Sequence, residues 1–128
     1  MTRPAVSSAS LFKLFGNLTL LGILGVLGDV GRLAAAVGIE MDDAFSLFDH
    51  FNPGLTLPQR GKRISSGQYT PPSFEMSMAR KDLRLMAEEA ARGGQQLAMI
   101  PALAALLDAG IARGEGALDV AAAVRVRG

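Results

Sequence analysis

A lysine and an asparagine stand four residues apart near the start of the chain, in the stretch LFKLFGN at residues 11–17. At this spacing Lys13 and Asn17 share one face of a helix. A lysine can move a proton when burial or a second cation lowers its pKa, and an asparagine beside it can hold a substrate oxygen. Alternatively, both side chains are simply solvated at the end of a helix. The spacing leaves both interpretations open.

A second lysine lies on a largely apolar stripe further along the chain. Four residues at spacings of four, three and four share this helical face: Phe74, Met78, Lys81 and Leu85. Lys81 could supply the cation that tunes Lys13. Its stem could also lie along the apolar surface with the ammonium group in water.

The composition excludes several kinds of site. The 128 residues include no cysteine, which excludes disulfides and thiol chemistry, and one histidine, His50, which excludes most histidine-rich metal sites. The formal net charge is +1, and the basic run RGKR at 60–63 is short and has only Tyr69 as an aromatic neighbour, so we expect no nucleic-acid binding. A hydrophobic content of 49% with 20% charged residues indicates one globular domain.

The sequence predicts an all-helical fold, with one long central helix and about five shorter helices packed around it. The long helix should run from about Ser8 to Val37 and end at Gly38, a natural position for a left-handed cap. Proline and glycine mark the later boundaries. The shorter helices are expected from Asp42 as cap through Phe51, from Pro58 to about Ser66, from Ser73 as cap to Gly93, from Pro101, and after Asp119 as cap.

Glycine recurs at every third position of the long helix, at Gly22, Gly25, Gly28 and Gly31. Each glycine weakens a helix by about 0.5–1 kcal/mol relative to alanine, so another interaction must offset the loss. Because three residues turn a helix by about 300°, these glycines wind around it and open a spiral groove. The groove could receive neighbours from the same chain or a helix from a second copy.

The apolar start of the chain raises the question of targeting. Arg3 and Lys13 precede an apolar run, and LAAAVG is similar to a small-residue cleavage site, so a secreted or membrane-surface protein with a targeting segment is one alternative. Against it, Asp29 and Arg32 interrupt the run, and the uncharged stretch Leu14–Gly28 is shorter than a bilayer requires. We therefore expect a cytoplasmic protein without a membrane span.

Four segments, in order, resemble the β-hydroxyacid dehydrogenases, the group that includes 3-hydroxyisobutyrate dehydrogenase. LFKLFGN is similar to the K-x-x-x-N motif that opens the family's long helix, and GDVGRLAAAVGIE to its E-A-x-x-L-A-x-x-x-G-L-D segment. PPSFEMSMARKDLRLMAEEA resembles F-x-x-x-x-x-x-K-D-L-x-L-A-x-x-x-A, and GEGALDVAAAV resembles G-x-G-x-x-D-x-S-A. The segments span about residues 11–124. The resemblance implies the helical fold of the 6-phosphogluconate dehydrogenase C-terminal domain.

The resemblance also implies roles for single residues. Lys13 matches the catalytic lysine, which moves the proton between substrate hydroxyl and carbonyl, and Asn17 matches the residue that orients the substrate. Lys81 matches a lysine that reaches the nicotinamide end of the bound cofactor, and Phe74 matches a phenylalanine near that pocket. The implied cofactor is NAD or NADP, the substrate is a small hydroxyacid or semialdehyde, and the assembly is a homodimer.

The sequence also departs from the family pattern. A Rossmann domain, with the G-x-G-x-x-G turn that seats the pyrophosphate, should precede this region, and no such motif is present. Residues 1–10 then correspond to the tail of that domain or a linker, and residues 11–128 to the helical C-terminal dehydrogenase domain. Asp29-Val30 stands where the family has Glu-Ala, and Leu97-Ala98 where it has Leu-Pro.

One expectation and one alternative follow. The expectation is the C-terminal, substrate-side and dimerisation domain of an NAD(P)-dependent hydroxyacid dehydrogenase or reductase. It should be inactive without its Rossmann domain and bind the cofactor weakly or not at all by itself. The alternative is a non-enzymatic helical module for interaction or dimerisation, recognised by Lys13 and Lys81 being solvated and far apart.

Overall fold

The computed structural model describes residues 7–126, and no β-strand is present in that range. The helices are α1 (Ser8–Val37), α2 (Met41–Phe45), α3 (Leu57–Ser66), α4 (Met76–Arg92), α5 (Ile100–Ala112) and α6 (Ala121–Val124). The predicted all-helical fold, with one long helix and several shorter ones, is confirmed. The interpretation of residues 1–10 as a tail or linker falls partly on residues 1–6, which lie outside the described range, and residues 8–10 form the first turn of α1.

α1 begins and ends where the sequence predicts. The Oγ of Ser7 accepts a hydrogen bond from the main-chain N–H of Ser10 at 3.2 Å and caps the first turn. At the other end Gly38 adopts a left-handed conformation with a φ of 76°. The N–H of Ile39 then donates to the carbonyl of Ala34 at 2.9 Å, which satisfies one of the terminal carbonyl groups.

Within residues 7–126, α1 is also the one helix long and apolar enough to cross a membrane. Its qualifying 18-residue segment has a mean hydropathy of 1.8, and 17% of that segment is buried. Core helices of soluble proteins and N-terminal signal sequences meet the same criteria of length and composition, so this finding by itself assigns no location. The expectation of a cytoplasmic protein without a membrane span stays a prediction.

The core of the fold lies between α4, α5 and α6. Met76 on α4 and Leu107 on α5 are fully buried, and Ala122 on α6 completes the cluster. Gly110 allows α4 and α5 to cross closely, because a Cβ at this position would lie 2.5 Å from the Sδ of Met76. The close crossing brings many atoms into van der Waals contact, which stabilises the pair of helices.

The C-terminal half of α1 packs on this core through α4. Its buried residues are Asp29, Gly31 and Ala34. The backbones approach most closely at the end of α4, where a Cβ on Gly93 would overlap the main-chain oxygen of Ala36. Gly93 therefore allows the two backbones to touch, and the C-terminal ends of α1 and α4 lie side by side.

The spiral of glycines on α1 is only partly filled within the chain. A Cβ on Gly25 would lie 3.1 Å from the Sδ of Met99, and one on Gly31 would lie 3.3 Å from the Cε of Met41. A Cβ on Gly22 would have nothing within 4 Å. Packing within the chain therefore occupies the groove at Gly25 and Gly31, whereas the surface at Gly22 is open to another component.

The second predicted helix differs from the structure at both ends. α2 begins at Met41 with Glu40 as N-cap, so the prediction of Asp42 as cap is wrong. The α-helix ends at Phe45, and the chain continues as a 3-10 turn over Ser46–Asp49. The tighter winding of a 3-10 turn changes the directions in which the following side chains point.

The fourth predicted helix begins later than expected. α4 starts at Met76 with Glu75 as N-cap, so Ser73 is not its cap. Instead the hydroxyl of Ser73 donates to the Oδ1 of Asp119 at 3.0 Å. The N-cap of α6 is Val120, one residue after the predicted Asp119, but the Oδ2 of Asp119 still accepts a hydrogen bond from the N–H of Ala121 in the first turn at 2.9 Å.

Candidate functional site

Lys13 and Asn17 lie one turn apart on the N-terminal half of α1, and both side chains are exposed. Neither makes a hydrogen bond or an ion pair with another residue of the range 7–126. An ammonium group and an amide are therefore presented together at one place on the helix, where a ligand could meet both.

The helix surface around these two polar groups is apolar and exposed on every side. Phe12 and Phe15 flank Lys13, and their ring centroids lie 5.5 Å apart in an edge-to-face arrangement. Nine large apolar side chains between residues 12 and 26 are at least 44% exposed: Phe12, Leu14, Phe15, Leu18, Leu20, Leu21, Ile23, Leu24 and Val26. A helix that is apolar all round is normally buried. This surface, here called the free half of α1 (residues 12–26), should be covered by another component.

Lys81 and Phe74 lie at the other predicted part of the site. Lys81 is exposed on α4 and makes no hydrogen bond or ion pair with any other described residue. Phe74 precedes α4, and 39% of its surface is exposed. Its main chain is fixed on both sides: the N–H donates to the Oδ1 of Asp119 at 3.1 Å, and the carbonyl accepts from the N–H of Val120 at 2.8 Å.

The apolar stripe that carries Lys81 lies on the outside of α4. Met78 is 52% exposed and Leu85 is 45% exposed. The helix turns a different face to the core, formed by Met76, Ala79, Leu83 and Ala90. An exposed apolar surface around a lysine is a place where a ligand or a second domain can bind.

The two predicted site lysines do not lie side by side within one chain. The C-terminal ends of α1 and α4 meet at Ala36 and Gly93. At about 1.5 Å per residue, Lys13 lies about 34 Å from Ala36 along α1, and Lys81 lies about 18 Å from Gly93 along α4. Even if the two helices ran parallel, the Cα atoms of the lysines would be at least about 10 Å apart. A ligand or a second copy would have to connect them.

An apolar groove of about 710 Å³ runs beside the free half of α1. Gly22 and Val26 of α1 form one wall, and Leu103 of α5 lies in another. Phe48 and Phe51, from the connection between α2 and α3, complete the lining. The sequence predicted a helix through Phe51, but it did not show that Phe48 and Phe51 border a groove along α1.

The described residues hold no seat for the pyrophosphate of a dinucleotide. Such a seat needs a strand, a glycine-rich turn and the start of a helix, and residues 7–126 contain no strand. The same range contains no group of three or more side chains that could hold a metal ion. The roles of Lys81 and Phe74 at the nicotinamide end of a cofactor stay predictions.

Asp29 is a buried carboxylate that joins α1 to the start of α5. Its Oδ1 accepts from the N–H of Ala98 at 2.7 Å, and its Oδ2 accepts from Met99 at 2.8 Å and Ile100 at 3.3 Å. Arg32 forms an ion pair with it at 3.0 Å. Burial raises the pKa of Asp29, but the three N–H groups and the guanidinium outweigh burial and hold the pKa below its usual 3.8.

Asp119 is the second buried carboxylate, and it fixes the segment that carries Phe74. Its Oδ1 accepts from the N–H and the hydroxyl of Ser73 at 2.9 and 3.0 Å, in addition to the N–H of Phe74. Burial raises the pKa of Asp119, but hydrogen bonds from Ala121, Phe74 and Ser73 outweigh burial and lower it. The sequence indicated only the helix-capping role, because Ser73 lies 46 residues away along the chain.

No protein-family model and no curated protein sequence matches the chain, but solved structures do. A reductive aminase from Aspergillus terreus in complex with NADPH and ethyl levulinate matches with a TM-score of 0.81 and 19% identity. A second structure of that enzyme, with NADPH and ethyl-5-oxohexanoate, matches with a TM-score of 0.76 and 20% identity. Each match covers 91% of this chain and 42% of the other. The likeness confirms the helical fold, and the chain spans less than half the length of these enzymes.

Proposed function

We propose that this chain is the C-terminal helical domain of an NAD(P)-dependent oxidoreductase of the β-hydroxyacid dehydrogenase type. The proposal is supported by the match of 91% of the chain to 42% of a reductive aminase bound to NADPH. It is also supported by Lys13 and Asn17, which are exposed one turn apart at the positions of the K-x-x-x-N motif. The substrate would be a small hydroxyacid or semialdehyde. A Rossmann domain would supply the rest of the enzyme.

In the proposed site Lys13 moves the proton of the reaction. The bound cofactor supplies hydride transfer. As a semialdehyde carbonyl becomes a hydroxyl, the ammonium of Lys13 gives its proton to the carbonyl oxygen, and the neutral amine takes the proton back in the reverse direction. Asn17 offers both a donor and an acceptor, with which it would hold the substrate carboxylate or hydroxyl. Lys81 and Phe74 would lie against the nicotinamide end of the cofactor.

We further propose that a second copy of the chain covers the free half of α1. Its nine exposed apolar side chains amount to an area on the order of several hundred Å², comparable with the roughly 800 Å² that each partner buries in a standard interface. The groove of about 710 Å³ beside α1 offers an apolar surface to receive them. Such a cover would exclude water around Lys13 and could bring a cation of the other copy to the site.

A non-enzymatic interaction module is the alternative, and one observation favours it. Lys13 and Lys81 are both exposed, and within one chain they are separated by at least about 10 Å. In a module without catalysis the free half of α1 would still serve dimerisation. The two proposals therefore share the interface and differ in whether the lysines take part in a reaction.

Calorimetric titration of the chain with NADH and NADPH tests whether the cofactor site belongs mainly to another domain. We expect no binding in the micromolar range, because the described residues hold no pyrophosphate seat. Micromolar binding would contradict the proposal that the cofactor site belongs mainly to another domain.

A fusion protein tests the activity itself. A Rossmann domain that binds NADPH, placed upstream of residue 11, should give NADPH-dependent reduction of short semialdehydes. A fusion that binds NADPH and dimerises, yet reduces none of them, would favour the non-enzymatic module.

A further inference from the structure

We propose that a cavity between α3 and α6 binds a small organic anion through Arg60 and Arg63. The cavity has a volume of about 450 Å³, within the range of about 300–1,000 Å³ typical of small-molecule sites. None of the four predicted site residues lines it, although Ser73 and Asp119, which do line it, hold the segment that carries Phe74.

The cationic wall of the cavity belongs to α3. Arg60 and Arg63 lie one turn apart on this helix, and both line the cavity. The whole segment from Asn52 to Phe74 contains these two arginines and Lys62 but no acidic residue. The local field is therefore positive and attracts anions. The sequence shows the basic run, and only the fold shows that two of its members border a cavity.

Arg63 is held in place, but its hydrogen-bonding capacity is not fully used. Its Nη2 donates to the carbonyl of Pro71, whereas its buried Nε–H meets no acceptor among residues 7–126. The side chain remains 28% exposed. In Arg60, the Nε donates to the Oγ1 of Thr56 at 3.1 Å, which leaves both Nη groups available. The Nη groups of Arg60 are therefore the donors that an anionic acceptor in the cavity would meet, while Arg63 adds its positive charge beside them.

Asp119 is the acidic residue in the lining, and it does not cancel this preference. Its two oxygens already accept four hydrogen bonds, from Ser73, Phe74 and Ala121. It also forms an ion pair with Arg63, whose Nη2 lies 3.7 Å from its Oδ1, so the charge in the lining that is left without a partner is that of Arg60. With two arginines and one carboxylate, the lining keeps a net positive charge.

The remaining wall is apolar. Ile64 of α3 and Val120 and Val124, at the two ends of α6, line the cavity. A ligand with a short hydrocarbon body would bury that body against these side chains while its anionic group meets the arginines. This combination points to a small carboxylate or phosphate ester, rather than to an inorganic ion.

NMR titration of the 128-residue chain tests the site through the Nε–H signals of Arg60 and Arg63. The probes are isobutyrate and isobutyl phosphate, with acetate and inorganic phosphate as counterparts that lack the hydrocarbon body. We expect at least one organic probe to give saturable shifts and to bind more tightly than its counterpart. The one that binds more tightly identifies the carboxylate or the phosphate class. Failure of both to saturate below about 50 mM would overturn the proposal.

Matched variants separate a site from a merely positive surface. Within residues 7–126 the side chain of Arg60 makes one hydrogen bond, to Thr56. Arg60→Gln should weaken binding about tenfold, as expected for the loss of one charge-assisted hydrogen bond to the ligand. Lys62→Gln removes the same charge from the same helix but lies outside the lining, and Lys13→Ala changes the proposed dehydrogenase site. Both should leave the affinity unchanged. Equal weakening by Arg60→Gln and Lys62→Gln would show that no specific site exists.

Discussion

The Oδ1 of Asp29 accepts a hydrogen bond from the main-chain N–H of Ala98 at 2.7 Å, and this contact joins α1 to the chain just before α5. In the β-hydroxyacid dehydrogenases, which the sequence resembles, glutamate and proline stand at these two positions. A proline has no N–H to donate. Ala98 supplies the N–H that a proline would lack, and Asp29 supplies the carboxylate that accepts its hydrogen bond. The two departures from the family pattern therefore form a single contact.

A double-mutant cycle tests whether the two positions are coupled. Ala98→Pro removes the donor and should destabilise the fold by about 1–3 kcal/mol, because the buried carboxylate loses a partner. In Asp29→Glu/Ala98→Pro, which carries the family pair, we expect the two effects to be less than additive by at least about 0.5 kcal/mol. Urea unfolding of the four proteins gives the coupling energy. Strict additivity would show that positions 29 and 98 are not energetically coupled.

The buried carboxylates predict how stability changes with pH. Because the folded pKa values of Asp29 and Asp119 lie below 3.8, the unfolded chain binds more protons in the acid range. Their contribution should be complete above about pH 5 and be lost as the pH falls through the folded pKa values. Asp29→Asn should therefore cost about 1–3 kcal/mol at neutral pH and less in acid. Urea unfolding at several pH values, with the exposed Asp82→Asn as control, measures this. A cost that is the same at every pH would contradict the assignment.

Local sequence signals predicted the helix boundaries at which a glycine or a proline restricts the backbone, but not the start of α2, where Glu40 and not Asp42 is the N-cap. Gly38 ends α1 because glycine readily adopts the left-handed conformation, and Pro58 and Pro101 lie in the first turns of α3 and α5. Ser73 misled the prediction because its partner, Asp119, is distant in the chain and competes for its hydroxyl.

The sequence predicted that Lys13 and Asn17 share a helix face, but it did not predict whether the apolar residues around them are buried. Lys13 and Asn17 share a face because of helical periodicity, which any four-residue spacing gives. Whether the apolar residues around Lys13 pack within the chain could not be read from their types, because burial depends on how far α1 extends beyond α4. The structure shows them exposed, with 72% for Leu18.

Lys13 is expected to be essential for turnover in the fusion with a Rossmann domain. Lys13→Ala should lower kcat by about 10²–10⁴, the usual share of general acid–base catalysis, with little change in NADPH binding. Lys62→Ala removes an exposed lysine of α3 and serves as the matched control. Steady-state kinetics distinguish the outcomes. Equal turnover of the two variants would remove Lys13 from the proposed role.

Dimerisation through the free half of α1 is expected to depend on Leu18. Leu18→Glu places a charge on a surface that the second copy would bury, so the dimer should dissociate at micromolar concentrations. Leu55 is equally exposed, at 78% against 72%, but lies outside that surface, and Leu55→Glu should leave the dimer intact. Analytical ultracentrifugation of both variants measures the difference. A chain that is monomeric without any substitution would contradict the proposed interface.

The contact between the ends of α1 and α4 is expected to tolerate no side chain at position 93. Gly93 has a φ of −93°, which alanine also adopts, so Gly93→Ala should act through the overlap of its Cβ with Ala36. We expect a destabilisation of about 1–3 kcal/mol, as for overpacked sites. Gly61→Ala in α3 is the matched control, because a Cβ there has nothing within 4 Å and alanine favours the helix by about 0.5–1 kcal/mol. Thermal or urea unfolding should therefore show opposite signs for the two substitutions, and a neutral Gly93→Ala would mean that the two helix ends separate readily.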